Sequence, residues 1–212
     1  MRRGDFGQPL RLIYLASRSP RRRELLQQLG VRFEPLLFRA GTRQDADTDE
    51  AVLPGEQPDE YVRRVTLLKA QAAWQRVVMR RGLQRKAVLA ADTTVALAGQ
   101  VLGKPANRAE AEHMLALLSG TQHRVLTAVA IRMDSHVELA VSESHVNFAP
   151  LDADRIAAYV ATGEPFDKAG AYAIQGRAAA FVERIEGSYS GVMGLPLYET
   201  ANLLRLFGVT VP

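Results

Sequence analysis

The residues from Ser17 to Arg23 combine hydroxyl and guanidinium groups at the start of a predicted helix, directly after a short apolar strand. Ser19 suits the N-cap position and Pro20 the first helical position, so the free backbone N–H groups of the first turn point outwards beside Ser17 and Arg21. Such a helix start can bind phosphate, because backbone N–H groups and arginines both attract anions. The pattern is equally compatible with a well-capped helix whose arginines are only solvated.

Asp92 and Lys104 are of the residue types that phosphate chemistry uses. Asp92 follows the apolar run Ala87 to Ala91, which predicts a position at the end of a strand, where a carboxylate can hold a divalent cation or accept a proton from water. Lys104 follows a predicted hairpin and can neutralise phosphate oxygens as their charge increases. The alternatives are an aspartate that caps a turn and an ordinary surface lysine.

Lys69 and Gln175 differ in character from the residues around them. Lys69 interrupts an apolar helical stripe, so its side chain either extends along the surface to solvent or reaches a site. Gln175 lies in a segment bounded by Gly170 and Gly176. Its amide offers a donor and an acceptor, which match the N–H and flanking carbonyls of uracil or thymine. A turn glutamine without a ligand is the competing interpretation.

Other familiar catalytic arrangements do not occur in this sequence. The four histidines lack the His-x-x-x-His spacing of a metal site, and no serine lies in a Gly-x-Ser-x-Gly motif. Ser188 to Ser190 are predicted to form a loop or a strand end. The glycine-rich dinucleotide-binding and Walker motifs are also missing. The sequence therefore argues against a histidine metal site, a serine hydrolase and a Rossmann dinucleotide enzyme.

The elements that must position these side chains alternate between strands and helices, which predicts an α/β fold built on a mixed sheet and a single domain over residues 1–212. After a first strand at Leu12 to Ala16, the predicted helices are Pro20 to Leu29, Asp59 to Arg81, Ala111 to Leu118 with Asn107 as N-cap, Asp152 to Thr162 and Leu195 to Phe207. The further predicted strands are Val31 to Leu37, Ala87 to Ala91, a hairpin over Val95 to Leu102 turning at Gly99-Gln100, Gln122 to Met133 and Val137 to Phe148, with a polar loop over Arg39 to Pro58.

Composition limits the class of protein. There is no cysteine, 47% of the 212 residues are hydrophobic, and 27 basic residues face 23 acidic ones. The sequence predicts a cytoplasmic protein, because the apolar stretch near its start is too short for a signal peptide or a membrane helix. Aromatic residues make up only 7%, so we expect neither a nucleic-acid partner nor a membrane partner.

Six segments taken together resemble the Maf family of nucleotide pyrophosphatases, in order and spacing over nearly the whole chain. They are Leu-Ala-Ser-Arg-Ser-Pro-Arg-Arg (15–22), Ala-Asp-Thr-Thr-Val (91–95), Gly-Lys-Pro (103–105), Leu-Ser-Gly-Thr-Gln-His (118–123), Asp-Lys-Ala-Gly-Ala-Tyr-Ala-Ile-Gln-Gly (167–176) and Ser-Tyr-Ser-Gly-Val-Met-Gly-Leu-Pro-Leu-Tyr-Glu-Thr (188–200). The resemblance implies an inosine-triphosphatase-like α/β fold, with a mixed twisted sheet flanked by helices and a cleft between two lobes. It is greatest to the subfamily that hydrolyses dTTP and UTP to the monophosphate and pyrophosphate.

The resemblance also implies roles for individual residues. Asp92 becomes the proton acceptor beside a divalent cation, Mg²⁺ or Mn²⁺. The residues that set base preference are Arg21, Thr93 and Gln175, and those that line the phosphate site are Ser17, Lys69 and Lys104. Either Asp49 or Glu50 supplies a further acidic group near the metal, with Glu50 favoured. Water is the nucleophile in this scheme, and a homodimer is expected.

Two other functions remain open from the sequence. A related subfamily prefers 7-methylguanosine triphosphate and carries glutamate where this chain has Gln175, so activity on modified nucleotides is one alternative. The other is a nucleotide-binding regulator with little turnover.

Overall fold

The computed structural model describes residues 12–36 and 50–211, and within them seven strands form one mixed sheet in the order β2-β1-β3-β5-β6-β7, with β4 beside β3. The strands are β1 Ile13–Leu15, β2 Phe33–Pro35, β3 Val88–Leu97, β4 Gln100–Leu102, β5 Gln122–Met133, β6 His136–Phe148 and β7 Val182–Glu186. Strand β1 runs parallel to β2 and β3, and the remaining pairs are antiparallel.

Helices pack on both faces of this sheet. They are α1 Pro20–Gln28, α2 Pro58–Met79, α3 Arg108–Leu118, α4 Ala153–Val160, α5 Tyr189–Met193 and α6 Leu197–Leu206, with 3₁₀ helices at Ala169–Ala171 and Arg177–Phe181. The expectation of a mixed sheet flanked by helices is confirmed, and the single domain over 1–212 stays a prediction. Among the described residues, no helix has the length and apolar character needed to span a bilayer.

Alternation along β3 divides its side chains between two separate parts of the core, because successive residues of a strand point to opposite faces. Val88 and Ala90 pack with α2 residues such as Trp74. Leu89 and Ala91 pack instead with residues of α1 and α6. The same alternation directs Asp92 towards α2 and Thr93 towards α1.

Asp92 lies inside a strand and not at its end, so that prediction is wrong. It is the fifth residue of the ten-residue β3 and pairs with Ala128, while Thr93 pairs with Thr127. The polar run after Ala91 resembles a strand end in sequence. The twelve-residue β5 nevertheless pairs with β3 from Val88 to Ala96, and threonines are common in β-strands.

Two local predictions near this strand and near the chain end also need correction. The hairpin turns at Ala98-Gly99, where φ is 50° and 80°, and not at Gly99-Gln100. A two-residue turn of this kind needs positive φ at both positions, and here an alanine adopts the first.

The segment Ser188 to Ser190 forms the start of a helix and not a loop or a strand end. Ser188 caps α5 by accepting a hydrogen bond from the Gly191 N–H at 3.0 Å.

The remaining elements follow the sequence closely. The predicted cap of α3 is confirmed, since the Asn107 side chain accepts a hydrogen bond from the Glu110 N–H at 2.9 Å. Strand β5 has the predicted bounds. Within the described residues, β2 is shorter than predicted, and the predicted strand end at Leu37 and the loop residues 39–49 lie outside the described ranges.

Candidate active site

The junction between β1 and α1 has the geometry expected for a helix start that could face an anion. The Ser19 side chain caps α1 by accepting a hydrogen bond from the Arg22 N–H at 3.4 Å, and Pro20 is the first helical residue. The Ser17 hydroxyl accepts a hydrogen bond from the Ser19 N–H at 3.2 Å. Ser17 is half-buried and Arg21 is partly exposed, so both can reach a ligand above the helix start.

Arg22 was not predicted as a site residue, but its guanidinium group makes three hydrogen bonds. Its Nε donates to the Gly194 carbonyl at 2.8 Å and its Nη1 to the Ala91 carbonyl at 2.7 Å. Its Nη2 donates to the Thr93 hydroxyl at 3.1 Å. Arg22 therefore joins α1, β3 and the loop before α6. Burial lowers its pKa, and the nearby Asp92 opposes that shift.

A chain of hydroxyls continues from Arg22 across the sheet. The Thr127 hydroxyl lies 3.0 Å from the Thr93 hydroxyl and 2.7 Å from the Gly191 carbonyl. A hydroxyl has one proton and the carbonyl can only accept, so Thr127 donates to Gly191 and Thr93 donates to Thr127. The Thr93 hydroxyl is thus used within the fold, on the face of β3 opposite to Asp92.

Lys69 joins two carboxylates on the other face of the sheet. Its Nζ lies 2.7 Å from Asp92 Oδ1 and 2.7 Å from Glu50 Oε1. Lys69 lies on α2 and Asp92 on β3, so tertiary packing alone brings the three groups together. Burial would lower the pKa of Lys69, but Asp92 and then Glu50 outweigh that effect and raise it. The ammonium group therefore stays charged between the two acids.

The convergence of Asp92 and Glu50 suits a hard divalent cation. Mg²⁺ and Mn²⁺ prefer carboxylate oxygens, and these two side chains already direct theirs at one positively charged atom. Among residues 12–36 and 50–211, no cluster of three or more histidine, aspartate or glutamate side chains adds to them. The residues present therefore fit a cation that takes its other ligands from phosphate and water. Asp49, the alternative acidic residue, lies outside the described ranges.

A second group of charges contains the basic residues Arg21, Lys104 and Lys168 together with the acidic residues Asp167 and Glu164. Burial lowers the pKa of Lys168 and the charge of Arg21 lowers it further. The charges of Asp167 and Glu164 oppose that shift, and the charge of Lys104 adds a smaller lowering effect. A hydrogen bond of 3.0 Å from the Gly170 N–H to the Gly103 carbonyl holds the two lysine-bearing segments together. Lys168 was not predicted as a site residue, although it lies two residues before Gly170, where the segment that contains Gln175 begins.

Gln175 stands apart from these groups. Its side chain is exposed, and within the described part of the chain its amide has no hydrogen-bond partner. A free amide on an ordered segment is available to a ligand. The structure thus brings Lys69, Asp92 and Glu50 into contact and groups Arg21 with Lys104, while Ser17 and Gln175 make no direct contact with them within the described residues.

Comparison with known proteins identifies the family to which this chain belongs. The family described as Maf-like protein matches residues 12–207. A protein of Cupriavidus metallidurans named dTTP/UTP pyrophosphatase is 61% identical over 198 residues, which cover 93% of this chain and 98% of that protein. A protein of Aromatoleum aromaticum with the same name is 59% identical, over 92% of this chain and 95% of that protein.

Among solved structures, the Ham1 protein of Staphylococcus aureus has a TM-score of 0.41 and 17% identity, over 65% of this chain and 72% of that chain. This likeness is too weak to support an argument. The family match and the two relatives each extend over more than nine tenths of the chain, and the residues of the site fall within them. The chain is therefore a member of the Maf-like protein family.

Proposed function

We propose that this protein hydrolyses dTTP and UTP to the nucleoside monophosphate and pyrophosphate. The observation that carries the proposal is the contact of Lys69 with Asp92 and Glu50, which puts a carboxylate, a cation and a second carboxylate within hydrogen-bond distance. The names of the Cupriavidus and Aromatoleum relatives support the choice of substrates. The basic group of Arg21, Lys104 and Lys168 supplies the charge that a triphosphate requires.

In the proposed reaction, Asp92 accepts a proton from a water molecule whose oxygen attacks the α-phosphorus. The new P–O bond forms as the bond between the α-phosphorus and the bridging oxygen breaks, and pyrophosphate leaves with the electron pair. Lys104 and Arg21 neutralise the charge that increases on the leaving pyrophosphate, and Lys69 orients Asp92. Ser17 and the N–H groups at the start of α1 bind phosphate oxygens.

Asp92 and Glu50 are the residues that would hold Mg²⁺ or Mn²⁺. When bound, the cation supplies charge neutralisation and polarises phosphoryl oxygens. Because the Lys69 ammonium lies between the same two carboxylates, we expect it to shift towards the phosphate when a cation binds.

Base preference is assigned to Gln175, Arg21 and Thr93. The Gln175 amide can pair with the N–H and carbonyl of uracil or thymine, and it is exposed and unpaired within the described residues. In this proposal, Thr93 affects base preference through Arg22, whose Nη2 donates a hydrogen bond to the Thr93 hydroxyl. We further propose a homodimer in the cytoplasm, with no nucleic-acid partner and no membrane partner.

The experiment measures pyrophosphate release from a panel of canonical and modified nucleoside triphosphates with Mn²⁺ or Mg²⁺. We expect dTTP and UTP to react fastest, and Asp92→Asn to reduce kcat by about 100-fold or more. Asp134→Asn is the matched control, because Asp134 lies in the exposed turn between β5 and β6 and, among residues 12–36 and 50–211, pairs only with the surface residue Arg85. Binding of dTTP without release under every metal condition would replace the proposal with the regulator alternative.

A further inference from the structure

The segment that carries Gln175 is held by hydrogen bonds on both sides of that residue. Before it, the Ala173 N–H donates to the Tyr159 hydroxyl at 3.3 Å. After it, the Arg177 N–H donates to Glu164 Oε2 at 3.1 Å and the Ala178 N–H to Glu164 Oε1 at 3.5 Å. Two side chains from α4 and the turn that follows it therefore fix the backbone around an exposed glutamine.

Tyr159 and Glu164 act as one unit. The Tyr159 hydroxyl donates to Glu164 Oε1 at 2.9 Å, so the hydroxyl that binds the segment before Gln175 also orients the carboxylate that binds the segment after it. Burial raises the pKa of Tyr159, and the hydrogen bond to Glu164 raises it further. The hydroxyl therefore remains protonated and continues to donate across the working pH range.

Gly176 shows how closely the carboxylate approaches the backbone next to Gln175. A Cβ atom added at Gly176 would lie 2.2 Å from Glu164 Oε1. The Glu164 carboxylate therefore occupies the space that a side chain at position 176 would need. The carboxylate sits directly against the segment.

We propose that Glu164, oriented by Tyr159, is a positioning residue for Gln175 and thereby determines how tightly the pyrimidine base binds. The inference rests on the proposed function, since it assigns a partner to the residue that reads the base. The charge of Glu164 also acts on Lys168, whose pKa it raises, but Glu164 makes no hydrogen bond or ion pair to Lys168 among the described residues. Its loss should weaken base binding and leave the chemical step intact.

The first test replaces Glu164 with glutamine and measures KM and kcat for UTP separately. An amide cannot accept with both of its ends, so one N–H of the segment loses its partner. We expect KM to rise about tenfold while kcat changes by less than about twofold. The matched control is Glu183→Gln, which removes the same charge from an exposed position on β7 with no hydrogen-bond or ion-pair partner among the described residues.

A double-mutant cycle with Gln175→Ala separates positioning from a general structural effect. If Glu164 acts through Gln175, the Glu164→Gln change adds little to KM once Gln175 is already alanine. An equal rise in KM in both backgrounds, or an equal loss of kcat, would overturn the inference. An unchanged KM in the single variant would do so as well.

Two further variants keep the test valid if Glu164→Gln unfolds at the assay temperature. Tyr159→Phe removes only the hydroxyl, and Gly176→Ala displaces the carboxylate while leaving Glu164 in the sequence. Both should raise KM for UTP in the native background and not in the Gln175→Ala background. If the wild-type protein releases no pyrophosphate from dTTP or UTP, the proposed function itself is contradicted. If the enzyme is active but its KM for UTP does not change when Glu164 is replaced, only the role of Glu164 is contradicted.

Discussion

Arg22 shows why a single position in a basic run can matter more than its neighbours. Its Nε, Nη1 and Nη2 donate to the Gly194 carbonyl, the Ala91 carbonyl and the Thr93 hydroxyl, of which the last two lie on β3 and the first lies in the loop before α6. A guanidinium group satisfies three acceptors in fixed directions, whereas an ammonium group on a flexible stem cannot reproduce that geometry. The residue is therefore structural support for the site as well as a charge near it.

We predict that Arg22→Lys lowers the free energy of unfolding by about 2 kcal/mol, because at least two buried acceptors lose their donors. Thermal unfolding measures this change. Arg23→Lys is the matched control, since the Arg23 side chain makes no hydrogen bond or ion pair among the described residues. Equal stability of the two variants would show that the Arg22 hydrogen bonds contribute nothing net.

Gln175→Glu should shift base preference away from dTTP and UTP. The carboxylate repels the carbonyl oxygens of uracil and thymine and attracts the cationic 7-methylguanine base. We expect kcat/KM for UTP to fall about tenfold or more and that for 7-methylguanosine triphosphate to rise. Steady-state kinetics on both substrates measure the ratio, and an unchanged ratio would remove Gln175 from the base site.

At the scale of elements, the contact between the 3₁₀ helix Ala169–Ala171 and β3 positions the segment that carries Lys168 beside the segment that carries Lys104. Gly170 has φ of +68°, and an added Cβ would lie 2.9 Å from all three side-chain carbons of Val95. Its N–H also donates to the Gly103 carbonyl at 3.0 Å. Backbone conformation and close packing therefore both require glycine here.

We predict that Gly170→Ala destabilises the protein by clearly more than Gly163→Ala. Gly163 has φ of +78° with nothing within 4 Å of an added Cβ, so its variant measures the cost of the left-handed backbone alone, about 1 kcal/mol. The difference between the two variants isolates the clash with Val95. Urea denaturation measures both, and equal losses would mean that Val95 shifts away at no cost.

At the scale of the whole molecule, His123 makes stability depend on pH. It is buried between Phe148 and Tyr172, with its Nε2 2.8 Å from the Tyr172 hydroxyl. Burial lowers the pKa of His123 from its ordinary value of 6.5 to about 4. Between these two values the unfolded chain binds a proton that the folded protein does not, so stability falls as the pH falls.

We expect this histidine alone to remove about 3 kcal/mol of the free energy of unfolding between pH 7 and pH 4. Urea denaturation at a series of pH values measures the loss. His123→Gln keeps a hydrogen-bonding group near Tyr172 but does not titrate, so its stability should fall less steeply over the same range. Identical slopes for the two proteins would show that His123 has the same pKa in the folded protein and in the unfolded chain.

The sequence determined most of the helices and strands and the residue types of the site, but it did not predict β7, α5 or the two 3₁₀ helices. Local rules sufficed for the Ser19 cap, for the Asn107 cap and for the bounds of β5, because N-caps and strand alternation depend on residues close together in the chain. The same rules selected Lys69 and Asp92 separately, one as a charge in an apolar stripe and the other as a carboxylate after an apolar run.

Only the tertiary structure decided which of these side chains meet. Lys69 and Asp92 are in contact because α2 packs on the face of β3 that carries Asp92, while Thr93 faces Arg22 on the other side. Asp92 lies within a strand because β5 pairs along the whole of β3. The end of α4 before Gly163 follows from the sequence, but the hydrogen bonds from the segment of Gln175 to Glu164 join residues 13 and 14 positions apart and depend on how that segment packs. Contacts between residues far apart in sequence depend on packing and strand pairing, which no single stretch of sequence contains.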